Sequence, residues 1–177
     1  MNDKMDRLIE GIKQTKVSKV KELLNEKDSV LVFDVDGVLA LLEWGTYNHY
    51  ALNDDEWTKA CEKGVNGYTQ DKVCNKIKDF LANKDMSRIY VITTVGNNNE
   101  GTFKKEFANK YYNIPKENVY YVENNSQKTE TLIKIKQKYP ELEDYKIVMI
   151  DDTVSILNDI MEKTNFSTVH NSSFLDI

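Results

Sequence analysis

Short runs of uninterrupted apolar residues, each stopping abruptly at polar residues, constrain this chain more than any other feature. Val30-Leu31-Val32-Phe33 stops at Asp34-Val35-Asp36-Gly37, and Arg88-Ile89-Tyr90-Val91-Ile92 runs into Thr93-Thr94 and the loop Val95-Gly96-Asn97-Asn98-Asn99. Val119-Tyr120-Tyr121-Val122 ends at Glu123-Asn124-Asn125, Lys146-Ile147-Val148-Met149-Ile150 ends at Asp151-Asp152, and Ser167-Thr168-Val169-His170 is a last short run. β-Branched and aromatic runs without polar alternation predict strands covered on both faces, the habit of a parallel sheet. Helical spacing fills the gaps. Residues 70–82 place Val73, Cys74, Ile77, Phe80 and Leu81 on one side, and 101–112 carry Phe103 and Phe107. Residues 127–138 carry Leu132, Ile133 and Ile135, and 153–163 carry Val154, Ile156, Leu157 and Ile160. Strand–helix–strand repetition with right-handed crossovers predicts a doubly wound α/β fold, a parallel sheet of about five strands with helices on both faces.

Two stretches fall outside that rhythm. Residues 1–28 have the spacing of an amphipathic helix, with Leu8, Ile9, Ile12, Val20, Leu23 and Leu24 between charges, and are expected to form a helical extension. Residues 40–69 are irregular and rich in aromatics, including Trp44, Tyr47, His49, Tyr50, Trp57 and Tyr68. The expected organisation is therefore an extension over 1–28 and one α/β domain over 29–177, with a small lid at about 40–69. A chain of 177 residues suits a single domain of this kind.

Composition narrows the function classes. With 24 Lys plus Arg against 29 Asp plus Glu, the net charge is −5, and Arg7 and Arg88 are the sole arginines. Non-specific affinity for DNA comes from a cationic surface, so a general polyanion binder is not expected. No apolar run approaches the ~20 residues that span a bilayer. The charged start Met1-Asn2-Asp3-Lys4-Met5-Asp6-Arg7 leads into no secretory apolar segment, and a cytoplasmic protein is expected. Cys61 and Cys74 form no metal-type pair and read as two reduced thiols.

In an open parallel sheet, ligands bind beyond the carboxyl ends of the strands, near the point where strand order reverses. The polar punctuation falls at those ends: Asp34 and Asp36, Thr93 and Thr94, Asp151 and Asp152. Carboxylates gathered there repel one another, and a hard divalent cation is the ordinary remedy. Magnesium takes one or two carboxylates, keeps waters and also binds phosphate oxygens. Lys128, opening the helix that starts at Gln127, is the nearest cationic group on that face. Its helix N-terminus adds a partial positive field, and the threonines with the Val95-Gly96 backbone offer hydrogen bonds to phosphate oxygens.

Asp34-Val35-Asp36-Gly37-Val38, a strand-ending Thr93, Lys128 and Asp151-Asp152 together resemble the four ordered motifs of haloacid dehalogenase (HAD) superfamily phosphohydrolases. The resemblance covers about residues 29 to 170 and implies a Rossmann-like, HAD-type fold. It implies that Asp34 attacks phosphorus and forms an aspartyl-phosphate, while Asp36 protonates the leaving oxygen and then activates water. It implies that Thr93 binds the phosphoryl group, with Thr94 as the alternative, and that Lys128 steadies nucleophile and phosphate. Asp34, Asp151 and the Asp36 backbone carbonyl would hold magnesium, and Asp152 would reach it directly or through water. Lys116 and Lys134 flank Lys128 in the sequence. The superfamily inserts its cap between the first two motifs, where Trp44, Tyr47 and His49 stand as lid residues over a substrate or as ordinary lid packing.

Other readings fit less well. An EF-hand alignment on Gly37 puts Val32 at the first ligand position. A receiver domain places its acidic pair first and its lysine last, the reverse of the order here. A catalytically silent HAD-fold binding protein commonly loses the nucleophile, and Asp34 is present. The expected activity is thus magnesium-dependent hydrolysis of a small phosphomonoester. The run Asp-Val-Asp-Gly-Val-Leu and the layout from Asp34 to Phe174 resemble nucleotidases and polynucleotide phosphatases, so the substrate is a nucleotide or, second, a 3′-phosphorylated nucleic-acid end.

Overall fold

The computed structural model describes residues 17–41, 52–69 and 72–176. In chain order the elements are α1 (Val17–Asn25), β1 (Val30–Phe33), β2 (Ala40–Leu41), α2 (Asp54–Glu62), β3 (Lys72–Val73) and α3 (Asn75–Leu81). They continue as β4 (Ile89–Thr94), α4 (Asn98–Tyr112), β5 (Val119–Val122), α5 (Gln127–Lys136), β6 (Ile147–Asp151), α6 (Val154–Lys163) and β7 (Ser167–His170). Five strands make one sheet in the order β5-β4-β1-β6-β7, with every neighbouring pair parallel. This is the α/β architecture the apolar runs predict, a Rossmann-like parallel sheet of five strands. The chain moves outward from β1 to β4 and β5, then returns to β6 and β7 on the other side. Strand order therefore reverses between β1 and β6.

The apolar runs are buried on both faces because helices cover both. Leu31, Phe33, Val91, Val148 and Ile150 pack with Leu24 of α1, Ile77 and Leu81 of α3, and Phe107 and Ala108 of α4. The intervening Val30, Val32, Tyr90, Ile92 and Met149 pack with Leu132 and Ile135 of α5 and Ile156, Leu157 and Ile160 of α6. Alternation along each strand sends successive side chains to opposite layers. The central strands β1 and β6 are buried throughout, whereas β5 and β7, at the edges, are half-exposed. Ile133 and Val154, grouped with apolar faces by spacing, are exposed, because each lies off the stripe that meets the sheet.

Some boundaries differ from the periodic reading, each for a local reason. The pattern over 70–82 begins as strand: Lys72 and Val73 pair antiparallel with Leu41 and Ala40, and α3 starts only at Asn75. A two-residue ladder to a distant segment overrides helical spacing there. α4 begins at Asn98, inside what reads as a loop, because Asn97 accepts the Glu100 backbone N–H at 3.0 Å and caps the helix. The 40–69 stretch is less irregular than its composition suggests. Asn53 and Glu56 form a reciprocal capping box that starts α2, and Tyr68 is buried against Trp57 and Phe107. Of the helix expected over 1–28, α1 is described and packs on the sheet through Leu24. Residues 1–16 lie outside the described residues, as do Trp44, Tyr47, His49 and Tyr50 of the expected lid. No described helix is long and apolar enough to cross a membrane.

Candidate active site

Asp34 directly follows β1 and Asp151 is the last residue of β6. Register sets them side by side: Phe33 pairs with Ile150, and the Asp34 N–H donates to the Ile150 carbonyl at 2.9 Å. They meet where strand order reverses, the position at which open parallel sheets bind ligands. Both are buried, Asp151 completely.

Lys128 reaches them from α5. Gln127 accepts the Glu123 backbone N–H at 2.9 Å and holds the loop after β5. That contact sets where α5 starts and aims its second residue back at the sheet. The Lys128 ammonium lies 3.1 Å from Asp34 Oδ2 and 2.9 Å from Asp151 Oδ2 and is itself buried. Burial works to lower the Lys128 pKa, but Asp34 and Asp151 outweigh it and raise the value, so the lysine stays charged. Asp34 moves the other way. Burial raises its pKa to about 6; Lys128 pulls it down, while Asp151 and Asp36 add to the rise. Lys134 belongs to the exposed flank of α5, and Lys116 lies in the turn before β5. Among these lysines, Lys128 is the one brought to Asp34.

Asp151 Oδ1 accepts the Thr153 N–H at 2.8 Å, which anchors the turn into α6. Asp152 is exposed, with its carboxyl against Gly37. Partial burial and then the neighbouring Asp151 hold its pKa above the ordinary carboxylate value. Asp34, Asp151 and Asp152 each offer a carboxylate oxygen, and the three oxygens lie within 4.8 Å of one another. Among the described residues the buried Asp34 Oδ1 has no hydrogen-bond partner. Buried carboxylate oxygens normally have partners. A hard oxygen-seeking cation fits this donor set, and Asp34 Oδ1, Asp151 and Asp152 are the side chains that would hold it.

Gly37 makes the close approach of Asp152 possible. Its φ is +72°, and a Cβ built there would stand 2.1 Å from Asp152 Oδ2. Gly37→Ala is therefore expected to cost about 1–3 kcal/mol in backbone strain and to push Asp152 away from the other carboxylates. Urea unfolding reads the first effect, and a magnesium titration followed by thermal shift reads the second as weakened binding.

The two threonines part company. Alternation along β4 sends Thr93 toward the α4 layer, where it is buried with its hydroxyl 3.3 Å from the Lys104 ammonium. Thr94 turns the other way and its hydroxyl donates to Asn125 Oδ1 at 2.5 Å. Both stand at the end of β4, on the rim that carries Asp34 and Asp151. Asp36, two residues past Asp34, does not join the Lys128 cluster. Its Oδ2 lies 2.6 Å from Lys104, and its Oδ1 accepts from the Tyr68 hydroxyl at 3.0 Å. Sequence reasoning missed Lys104 and Glu100 and placed Tyr68 only among the aromatics of the expected lid. The only signal was the four-residue spacing of Glu100 and Lys104, which ordinarily marks a solvated helix face. Between Asp36 and α2 lies a cleft of about 360 Å³, lined in part by Trp57, Thr58, Thr94, Glu100 and Glu123.

Fold and site together define an α/β protein with an acidic pocket at the carboxyl rim of its parallel sheet. The solved structure of DsGPDH of Dunaliella salina is similar at 17% identity and TM-score 0.51, covering 85% of this chain and 24% of that one. The chain thus spans about a quarter of that protein's length, and the likeness is one of fold. The HAD domain of effector protein Lem4 from Legionella pneumophila is similar at 15% identity and TM-score 0.44, covering 80% of this chain and 84% of that one. No family model and no curated protein matches the chain.

Proposed function

We propose that this chain is a magnesium-dependent phosphomonoesterase of the HAD type that works through an aspartyl-phosphate on Asp34. The observation that carries the reading is the asymmetry of the Asp34 carboxylate. One oxygen is held by Lys128, while the other is buried at the meeting point of β1 and β6 without a partner among the described residues. Asp34 Oδ1, Asp151, Asp152 and the Asp36 backbone carbonyl are the groups proposed to hold the metal. Bound there, magnesium would supply the charge neutralisation that lets an anionic carboxylate approach an anionic phosphate.

The chain's own residues do the rest. Asp34 attacks phosphorus, the ester P–O bond breaks, and Asp36 gives the departing oxygen its proton. Asp36, now a carboxylate, takes a proton from water; that water attacks the same phosphorus and breaks the bond to Asp34. Inorganic phosphate leaves and both aspartates are restored. Splitting one difficult displacement into two lowers each barrier, and one carboxyl serves both because the half-reactions need opposite protonation states. Lys128 orients Asp34 and screens its charge. Thr93 or Thr94 donates to a phosphate oxygen.

The cleft beside Asp36 supports a small leaving group, nucleotide-like or smaller, over a nucleic-acid end. The exposed Asp54 and Glu123 in its wall oppose a polyanionic strand, and Trp57 offers an aromatic surface to a base or sugar. One panel tests both levels. Phosphate release is followed from an aryl phosphate, 5′ and 3′ mononucleotides and 3′-phosphorylated oligonucleotides, with and without a chelator. Expected is turnover of aryl phosphate and mononucleotides that stops with chelator and returns with magnesium. Metal-independent turnover would refute the metal assignment, and preference for the oligonucleotide would reverse the substrate order. Inertness toward every ester would favour a silent binding protein.

A further inference from the structure

The chemistry above uses one lysine, yet a second is equally buried and touches the other catalytic carboxylate. Lys104, in the middle of α4, has a side chain only 2% exposed. Its ammonium lies 2.6 Å from Asp36 Oδ2, 3.0 Å from Glu100 Oε1, 2.5 Å from the Thr94 carbonyl and 3.3 Å from the Thr93 hydroxyl. Tyr68 completes the arrangement, with its hydroxyl 3.0 Å from Asp36 Oδ1 and 3.3 Å from Glu100 Oε1. Glu100 is fixed in turn, since its Oε2 accepts the Gly96 N–H at 2.7 Å. Both oxygens of Asp36 are therefore gripped, one from α4 and one from the segment after α2.

We propose that Lys104 and Tyr68 are positioning residues that hold the Asp36 carboxyl in one orientation at the cleft, with Glu100 fixing Lys104 from behind. The inference rests on the phosphomonoesterase reading. Stability alone is a weak reason for the cluster, because apolar groups of similar volume commonly replace a buried ion pair without loss. Positioning is a better one. Asp36 stands in a turn, and its side chain is a quarter exposed, so staggered rotamers would otherwise be open to it. It must meet the departing oxygen in one half-reaction and the incoming water in the next. A displacement of ~1 Å at such a group costs on the order of 10²-fold in rate. The grip also ties Asp36 to the segment over the cleft, since Tyr68 packs edge-on against Trp57 at 5.9 Å between ring centroids.

Leaving-group dependence separates positioning from general damage. A nitrophenolate departs without help from an acid, whereas an alkoxide does not. Lys104→Met and Tyr68→Phe are compared with wild type on p-nitrophenyl phosphate and on a simple alkyl phosphate, with folding checked by thermal melts. For Lys104→Met, steady-state turnover of the alkyl ester is expected to fall about 100-fold, with KM nearly unchanged. With the nitrophenyl ester, the first turnover stays fast and hydrolysis of the aspartyl-phosphate becomes slow, so about one equivalent of nitrophenolate appears as a burst. Tyr68→Phe removes one hydroxyl and no carbon, and shows the same pattern at smaller size; it carries the test if the lysine variant does not fold. Equal losses on both esters without a burst, or unchanged turnover of both, would overturn the inference. A wild type that hydrolyses neither ester would overturn the phosphomonoesterase reading and this one with it.

Discussion

Asp34→Asn is expected to abolish turnover of every ester the wild type accepts, by at least about 10⁴-fold, while leaving the fold intact. An amide oxygen is a poor nucleophile, and among the described residues the other carboxylate held against Lys128 is Asp151, whose second oxygen is committed to the Thr153 N–H. The same substitution makes a stability prediction of opposite sign. The folded Asp34 pKa is raised from the ordinary 3.8 to about 6, by burial first and then by Asp151 and Asp36 against the pull of Lys128. For a raised pKa, the stabilising contribution is full below the unfolded value and lost as pH rises through the folded one. Between about pH 4 and 6 the native state binds the extra proton, and above 6 the ionised carboxylate burdens the metal-free fold. Asn removes that burden and keeps an oxygen for Lys128. In chelator, Asp34→Asn should therefore melt no lower than wild type at pH 7.5, and its advantage should shrink toward pH 4.5. A variant that loses more stability at pH 7.5 than at pH 4.5 would contradict the charge arrangement. One that keeps its turnover would remove Asp34 as nucleophile.

Lys128→Met is the converse experiment and the larger stability effect. It removes the ammonium that lies 3.1 Å from Asp34 and 2.9 Å from Asp151, leaving two buried carboxylates face to face. Breaking a buried ion pair from one side typically costs about 3–5 kcal/mol, because the remaining charge is uncompensated. That loss is expected for the metal-free protein at neutral pH, read from urea unfolding. Two treatments should return part of it: acidification, which protonates Asp34, and magnesium, which offers the carboxylates another positive charge. The magnesium-induced rise in melting temperature should thus exceed that of wild type, although turnover falls. An equal rise in both proteins would mean that the lysine and the cation do not serve the same oxygens.

These two experiments address residues of very different legibility. Val30–Phe33 and Ile147–Ile150 declare themselves as strands because a run buried on both faces needs no partner to be recognised. Asp34 and Asp151 follow, since charge at the end of such a run has only the sheet's rim to occupy. Lys128 is visible as the opening of a helix, yet nothing local distinguishes its fate from that of Lys134, which stays exposed. β3 was unreadable from spacing, because Lys72–Val73 becomes strand only through its pairing with Ala40–Leu41. Glu100 and Lys104 misled for a related reason. Four residues apart on a helix, they look like a solvated pair; burial comes from Asp36, which lies 68 residues from Lys104 along the chain, and Tyr68, which lies 32 from Glu100.

What the sequence determined alone is therefore the periodicity of the longer elements: which of them are strand, which are helix, and that acidic and hydroxyl side chains stand where strands stop. Those features depend on near neighbours and on backbone geometry, which repeat every few residues. The tertiary structure decided the rest. It chose the strand order that sets β1 beside β6, gave Lys128 to Asp34 and Asp151 and Lys104 to Asp36, and left one buried Asp34 oxygen without a partner among the described residues. Pairings of that kind are settled through space, by desolvation and Coulomb attraction between groups that no local pattern relates.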